Sequence, residues 1–362
     1  MRRRVVVKVG SALLTPQGPL GPRPFERLAA QVHAAHEAGV SVTLVSSGAI
    51  AQGRLALHLA ERPAELSAAQ ALAAVGQPLL MRRWAEAFAA LPRPLPVAQF
   101  LLTRSDVEEP LRFFNARRAL RALERLGAVA IGNENDTVAT EEIKIGDNDT
   151  LAAHVARVVG ADLLVIYTQV DGLYTGNPER DSSARRVPLV GDIAAVESFA
   201  GEAGGDGWGV GGMRTKVEAA RVATRAGVSV VIAHGRAPLL DLLHNAEPLR
   251  APAALDGTLF VAPLSPAEAL KARWPLSGRL TLTQEGGARL CAGEAASLAH
   301  LLSADGEFAR GDLVELCVEG APGPLGRALT AYGRAECLRA LGGLSLGGAF
   351  DGPLVETRDW AR

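Results

Sequence analysis

From residue 5 to about residue 235, short β-branched runs alternate with longer stretches of helical period. Apolar runs at 5–9, 40–45, 97–102, 128–131, 163–167 and 228–233 have the length and the Val/Ile content of buried strands. Between them, Phe25, Leu28, Val32 and Ala35 give one apolar face to a helix over 25–38, and a helix over 116–126 stops at Gly127. Strands that are apolar throughout must be covered on both sides, so the pattern predicts an α/β fold with a mostly parallel sheet sandwiched by helices. In such sheets ligands gather at the C-terminal ends of the strands.

The alternation stops at 250–278, a stretch rich in Pro and Ala that reads as a linker or domain border. Beyond it, strand-like pieces at 279–283, 313–318, 328–332 and 354–357 are separated by Gly- and Pro-rich turns, with one small helix near 335–341. The expected organisation is a first domain over 1–258 and a smaller β-rich domain over 277–357.

The 362 residues are 48% hydrophobic and 21% charged, enough for a large core, and the net charge of -1 provides no long-range field to gather nucleic acid or anionic lipid. An anionic substrate must therefore meet locally placed cations. No apolar stretch approaches the roughly 20 residues that span a bilayer, and the apolar run after Arg2-Arg3-Arg4 is cut by Lys8. Cys291, Cys317 and Cys337 are three in number and far apart, which favours ordinary burial over a disulfide framework or a zinc site. The expectation is a cytoplasmic protein with no membrane partner.

Four segments fall where strands should end. Lys8 sits late in an apolar strand before Gly10 and Ser11; burying an ammonium there is costly unless it meets an anion, the plain alternative being a snorkelling edge lysine. Ser46-Ser47-Gly48-Ala49 is a small hydroxyl-bearing turn that could donate to a carboxylate or phosphate, or be a simple turn. Asn133-Glu134-Asn135-Asp136 and Gly146-Asp147-Asn148-Asp149 could be turns and a helix cap, yet Asp136 and Asn148 set acceptors beside donors, as an amino acid requires. Gly211-Gly212-Met213-Arg214-Thr215-Lys216 opens a helix over 217–226, where freed amides and a lysine suit phosphate, although the spacing is not that of a P-loop. The seven histidines lie outside these segments, and His33 and His36 on one helix face read as surface residues.

These segments, with Gly172-Leu173-Tyr174-Thr175, resemble the glutamate 5-kinase family in order and spacing over about the first 260 residues. That resemblance implies the amino-acid kinase fold with a C-terminal PUA-like domain, and transfer of the γ-phosphate of ATP, with Mg²⁺, to the side-chain carboxylate of L-glutamate, the first step of proline biosynthesis. It implies that Lys8 and Lys216 contact the transferring phosphoryl group with Asp149 orienting them, and that Ser47, Asp136 and Asn148 hold glutamate. Lys8, Thr168, Gln169 and the run Val210, Gly211, Gly212, Met213, Arg214, Thr215 and Lys216 would contact ATP. Gln169 stands where the family often has Asp, and Val210 where it often has Thr. A homo-oligomer and inhibition by proline are also implied.

Two rivals remain open at this point. One is another kinase of the same fold, acting on N-acetylglutamate, aspartate, carbamate or a nucleoside monophosphate. The other is an RNA-binding protein, since PUA domains occur in RNA-modifying enzymes; but residues 278–362 hold eight arginines, no lysine and eleven acids, against the basic footprint that RNA demands.

Overall fold

The computed structural model describes residues 3–61, 63–138, 148–178, 180–202, 212–246, 255–266, 268–269, 275–343, 352–356 and 360–361. Val210 and Gly211, and the Gly146-Asp147 half of the second Asn/Asp loop, lie outside the described residues.

The chain divides into two compact units, one of residues 1–107 with 119–263 and one of residues 108–118 with 264–362. The first runs β1 (Arg4–Val9), α1 (Pro24–Glu37), β2 (Ser41–Ser46), α2 (Ala49–Ala56), α3 (Leu66–Ala89), β3 (Val97–Leu102), α4 (Arg104–Glu108), the part of α5 (Pro110–Arg125) from residue 119 onward, β4 (Val129–Glu134), α6 (Asn148–Val159), β5 (Leu163–Thr168), β6 (Leu189–Val190), α7 (Glu197–Glu202), α8 (Met213–Arg225), β7 (Ser229–His234), α9 (Leu239–Asn245) and β8 (Thr258–Phe260). Its sheet has the order β3-β4-β2-β1-β5-β7-β8-β6. Neighbours are parallel except β7 and β8. The α/β sandwich expected from the sequence is therefore present, with one antiparallel strand, β8, inside the stretch that reads as a linker.

Strand β1 lies at the centre, with β2 on one side and β5 on the other, so the chain changes winding direction across it. The crevice at such a switch point is where open α/β sheets hold ligands. Val5, Val7 and Val9 of β1 enter one apolar core with Phe25, Leu28, Val32, Trp84 and Phe88 from α1 and α3. Strand side chains alternate between faces, so Val6 and Lys8 belong to the other face.

Helix α3 is the main element that the sequence pattern leaves unassigned. It carries Gly76 and Pro78 in its interior, both unfavourable there, yet its buried positions Ala69, Leu72, Ala73, Gly76, Leu80, Trp84, Ala87 and Phe88 keep helical spacing over 24 residues. Packing overrides local propensity. Helix α5 begins six residues earlier than expected because Pro110 occupies its first position, where a missing N–H is harmless.

In the second unit a five-stranded sheet of order β10-β9-β11-β12-β13 joins Leu301–Gly306, Leu276–Leu282, Leu313–Val318, Gly326–Leu329 and Trp360–Ala361. Helices Gln284–Cys291 and Arg334–Leu341 accompany it, and the core includes Leu280, Leu282, Val314, Leu316, Tyr332 and Cys337. This β-rich unit is consistent with the PUA-like domain that the resemblance implies. Several details differ from the sequence reading. Strands β10 and β13 and the helix Gln284–Cys291 lie outside the expected elements, and within the piece at 354–357 Val355 makes an isolated bridge with Ala296. Phe114, from the segment 108–118, lies in this core.

Candidate active site

The strands β1, β2, β4 and β5 end at Val9, Ser46, Glu134 and Thr168, and the residues at and just beyond these ends line two clefts. The first, about 920 Å³ of open-mouthed space, is bounded by Lys8, Gly10, Ser11, Ser47, Asn133, Glu134, Asp136 and Asn148, with Ile50, Ala51 and Arg54 from α2. The second, about 620 Å³, is bounded by Thr168, Gln169, Tyr174, Asn177, Gly212, Met213 and Lys216.

A single carboxylate joins the two clefts. Asp149, in the first turn of α6, lies with its Oδ1 2.6 Å from the Lys8 ammonium and its Oδ2 3.2 Å from the Lys216 ammonium. Thr215 Oγ1 donates to the same Oδ2 at 2.9 Å. The Asp149 side chain is 2% exposed and each lysine 8%. Burial pushes the Asp149 carboxyl up, but the ammonium groups of Lys8 and Lys216 and the hydrogen bonds from Lys8 and Thr215 outweigh it, lowering it from the ordinary 3.8 to about 2. It is therefore an anion at every physiological pH.

The local folding explains this meeting. A carboxylate is favoured at the positive N-terminal end of α6. Lys216 sits in the first turn of α8, where the helix dipole disfavours a cation, so it needs an anion nearby. Helices α6 and α8 pack together, and α6 packs against β1, which brings all three charges to one point. Two ammonium groups thus share one carboxylate where the clefts meet.

On the first cleft, the amide of Asn148 is held in one sense: Nδ2 donates to Ser47 Oγ and to Asn133 Oδ1, each at 2.8 Å. Its Oδ1 is buried and finds no hydrogen-bond partner among the described residues. A buried acceptor left open beside the buried carboxylates of Asp136 and Glu134 suits an incoming ammonium. Gly48, at φ 122°, occupies a backbone conformation that a side chain would strain, and so lets the chain turn from β2 into α2 under the cleft.

Of the residues singled out in the sequence, Lys8, Ser47, Asp136 and Asn148 border the first cleft and Thr168, Gln169, Gly212, Met213 and Lys216 the second. Thr215 instead braces Asp149, and Arg214 is exposed and borders neither. The sequence reading did not name Arg54 and Asn177, and it named Glu134 and Tyr174 only within motifs, without a role. Arg54 was detectable, being one turn beyond Ile50 on the same face of α2. The place of Tyr174 was not, because it depends on a network that extends far along the chain: its hydroxyl donates to Asp171, which Arg186 binds together with Asp256.

Among the described residues no group of three or more His, Cys, Asp or Glu could hold a metal ion, and no helix is long and apolar enough to cross a membrane.

Comparison with known proteins places this geometry. The amino acid kinase family profile matches residues 3–234. A glutamate 5-kinase of Caulobacter vibrioides is 42% identical over 377 aligned positions, covering 99% of this chain and 96% of that protein. The glutamate 5-kinase of Thermus thermophilus is 49% identical over 246 positions, covering 67% and 65%. Among solved structures, a carbamate kinase from Giardia lamblia bound to AMP-PNP shares the fold, with a TM-score of 0.50 at 16% identity over 72% of this chain and 98% of that one. With a family match over most of its first unit and relatives aligned over nearly its whole length, the chain belongs to the amino acid kinase family, in its glutamate 5-kinase branch.

Proposed function

We propose that the chain transfers the γ-phosphoryl group of ATP to the side-chain carboxylate of L-glutamate, as a glutamate 5-kinase at the entry to proline biosynthesis. The observation that carries this reading is the pair of ammonium groups, from β1 and α8, held on the two oxygens of Asp149 between two clefts. The first cleft takes glutamate and the second takes the nucleotide.

Glutamate's side chain has a pKa of about 4.3, so the nucleophile is already an anion and needs no general base. A carboxylate oxygen attacks the γ-phosphorus as the bond to the β,γ-bridging oxygen breaks, leaving ADP and an acyl phosphate. The barrier is repulsion between anions. Lys8, on the glutamate side, and Lys216, on the nucleotide side, lower it by neutralising charge on the transferring group. Asp149 and Thr215 hold the lysines in place before substrate arrives, so little reorganisation accompanies reaction. Amides at the start of α8, at Gly212 and Met213, face the phosphates. Mg²⁺, when bound with ATP, would neutralise further charge on the phosphates beside Lys216.

The open acceptor on Asn148, with Asp136, favours a free α-ammonium over an N-acetylated amine. The test is to supply ATP, Mg²⁺ and hydroxylamine with L-glutamate, N-acetylglutamate or L-aspartate and to measure the hydroxamate that traps an acyl phosphate. Strong product with L-glutamate alone is expected; preference for the N-acetyl form would overturn the reading. A cytoplasmic setting, a homo-oligomeric state and inhibition by proline belong to the same proposal.

A further inference from the structure

Helix α3 contributes no lining residue to the glutamate cleft among those described, yet it reaches the cleft through one hydrogen bond. Gln77 Oε1 accepts from Asn133 Nδ2 at 2.8 Å. Asn133 Oδ1 in turn accepts from Asn148 Nδ2 at 2.8 Å, and Asn148 Nδ2 also donates to Ser47 Oγ. The chain Gln77–Asn133–Asn148 has a direction. With Gln77 offering an oxygen, Asn133 must turn its NH₂ toward α3 and its oxygen toward Asn148. Asn148 must then turn its own NH₂ inward and leave Oδ1 as the open acceptor. Reversing one amide would put two oxygens or two NH₂ groups face to face. Asn133 is 3% and Asn148 4% exposed, so water cannot readily repair such a mismatch.

The backbone brings Gln77 within reach. A Cβ on Gly76 would overlap the Ala49 carbonyl oxygen and the Gly53 amide nitrogen, so α3 can press directly on α2 only with glycine there. About two helical turns further on, Trp84 Nε1 donates to Ser46 Oγ at 2.9 Å, at the end of β2. Helix α3 thus fixes the back of the cleft at two points, and one of them carries polarity.

We propose that Gln77 is a positioning residue that sets the amide orientation of Asn148 and thereby makes the cleft selective for an acceptor bearing an α-ammonium. The inference rests on the assignment of this cleft to glutamate. Gln77 does not touch substrate; it acts through Asn133 and Asn148. Losing it lets both amides rotate, so that Asn148 presents either oxygen or NH₂, and an NH₂ repels an ammonium.

The test compares wild type, Gln77→Leu and Gln77→Glu with two acceptors, L-glutamate and glutarate, which lacks the amino group. Gln77→Leu should lower kcat/KM for L-glutamate by roughly 10- to 100-fold, mainly through KM, as expected for a misdirected hydrogen bond to a charged group. It should leave KM for ATP and the low activity on glutarate unchanged. Gln77→Glu, which keeps an acceptor oxygen facing Asn133, should recover L-glutamate activity to within about threefold of wild type. Equal losses on both acceptors, an unchanged KM for L-glutamate in Gln77→Leu, or no recovery in Gln77→Glu would overturn the inference. A wild-type enzyme that forms no hydroxamate with L-glutamate would instead overturn the assignment of the cleft, a separate result.

Discussion

The two clefts are built differently. The cleft proposed for glutamate is made from strand ends and helix starts whose polar groups are bonded to one another and mostly buried: Asn133 and Asn148 with half-buried Ser47 in one chain, Lys8 and Asp149 in another. The cleft proposed for the nucleotide is made from residues 168–178 and the first turn of α8, where Gln169 is exposed and Met213 and Tyr174 are partly so. Its framework is the Arg186 guanidinium, which ties Asp171 to Asp256 in partly exposed surroundings. A buried, fully directed network discriminates strongly because any misfit leaves a polar group unpaired. A partly solvated wall discriminates weakly, because water replaces a lost partner. Side-chain changes on the glutamate side should therefore be costly and selective, and those on the nucleotide side cheap.

The largest effect should come where the two clefts meet. Asp149→Asn leaves two buried ammonium groups without their counterion and should lower stability by about 3–5 kcal/mol, measured by urea unfolding at neutral pH. The sign with pH follows from the lowered carboxyl. The unfolded chain binds the proton more readily, so the stabilisation by Asp149 is complete above the ordinary 3.8 and is lost as pH falls toward about 2. The difference between wild type and Asp149→Asn should shrink over that window; a difference constant with pH would show that the lysines do not depend on the charge.

Next come the lysines. Lys8→Ala and Lys216→Ala should each reduce kcat by a factor on the order of 10² or more while the protein stays folded, since each removes a donor from the transferring group. Turnover near wild type in either would separate that lysine from the chemistry. Smaller again, Asp136→Ala should raise KM for glutamate by about tenfold with little change in KM for ATP. Comparable shifts for both substrates would erase the contrast between the clefts. At the bottom of the scale, Gln169→Asp should move KM for ATP by about threefold or less and leave KM for glutamate alone. A large nucleotide effect there would mean that the exposed wall is more selective than its solvation allows.

Much of the site was legible in the chain because its chemistry is local. A lysine closing an apolar strand, a serine-glycine turn and a glycine-led helix start each carry their reason within a few residues. Gln77, Arg54 and Tyr174 were harder to see. Gln77 sits beside two helix-breaking residues, and its value lies in a partner 56 positions away, Asn133. Arg214, read as a nucleotide contact from the same run as Lys216, is exposed, because neighbours on a helix point about 100° apart.

The sequence by itself determined the alternation of strands and helices, the β-rich character of the C-terminal part and the presence of cations at strand and helix ends, since these follow from side-chain period and from the cost of burying charge. Tertiary structure decided that Lys8 and Lys216 share one carboxylate, that β8 runs antiparallel to β7, that residues 108–118 join the second unit and that Gln77 of α3 accepts a hydrogen bond from Asn133 at the first cleft. Those features are pairings between groups tens to hundreds of residues apart. Chain closure brings such groups together only in the folded state, and they leave no periodic trace along the sequence.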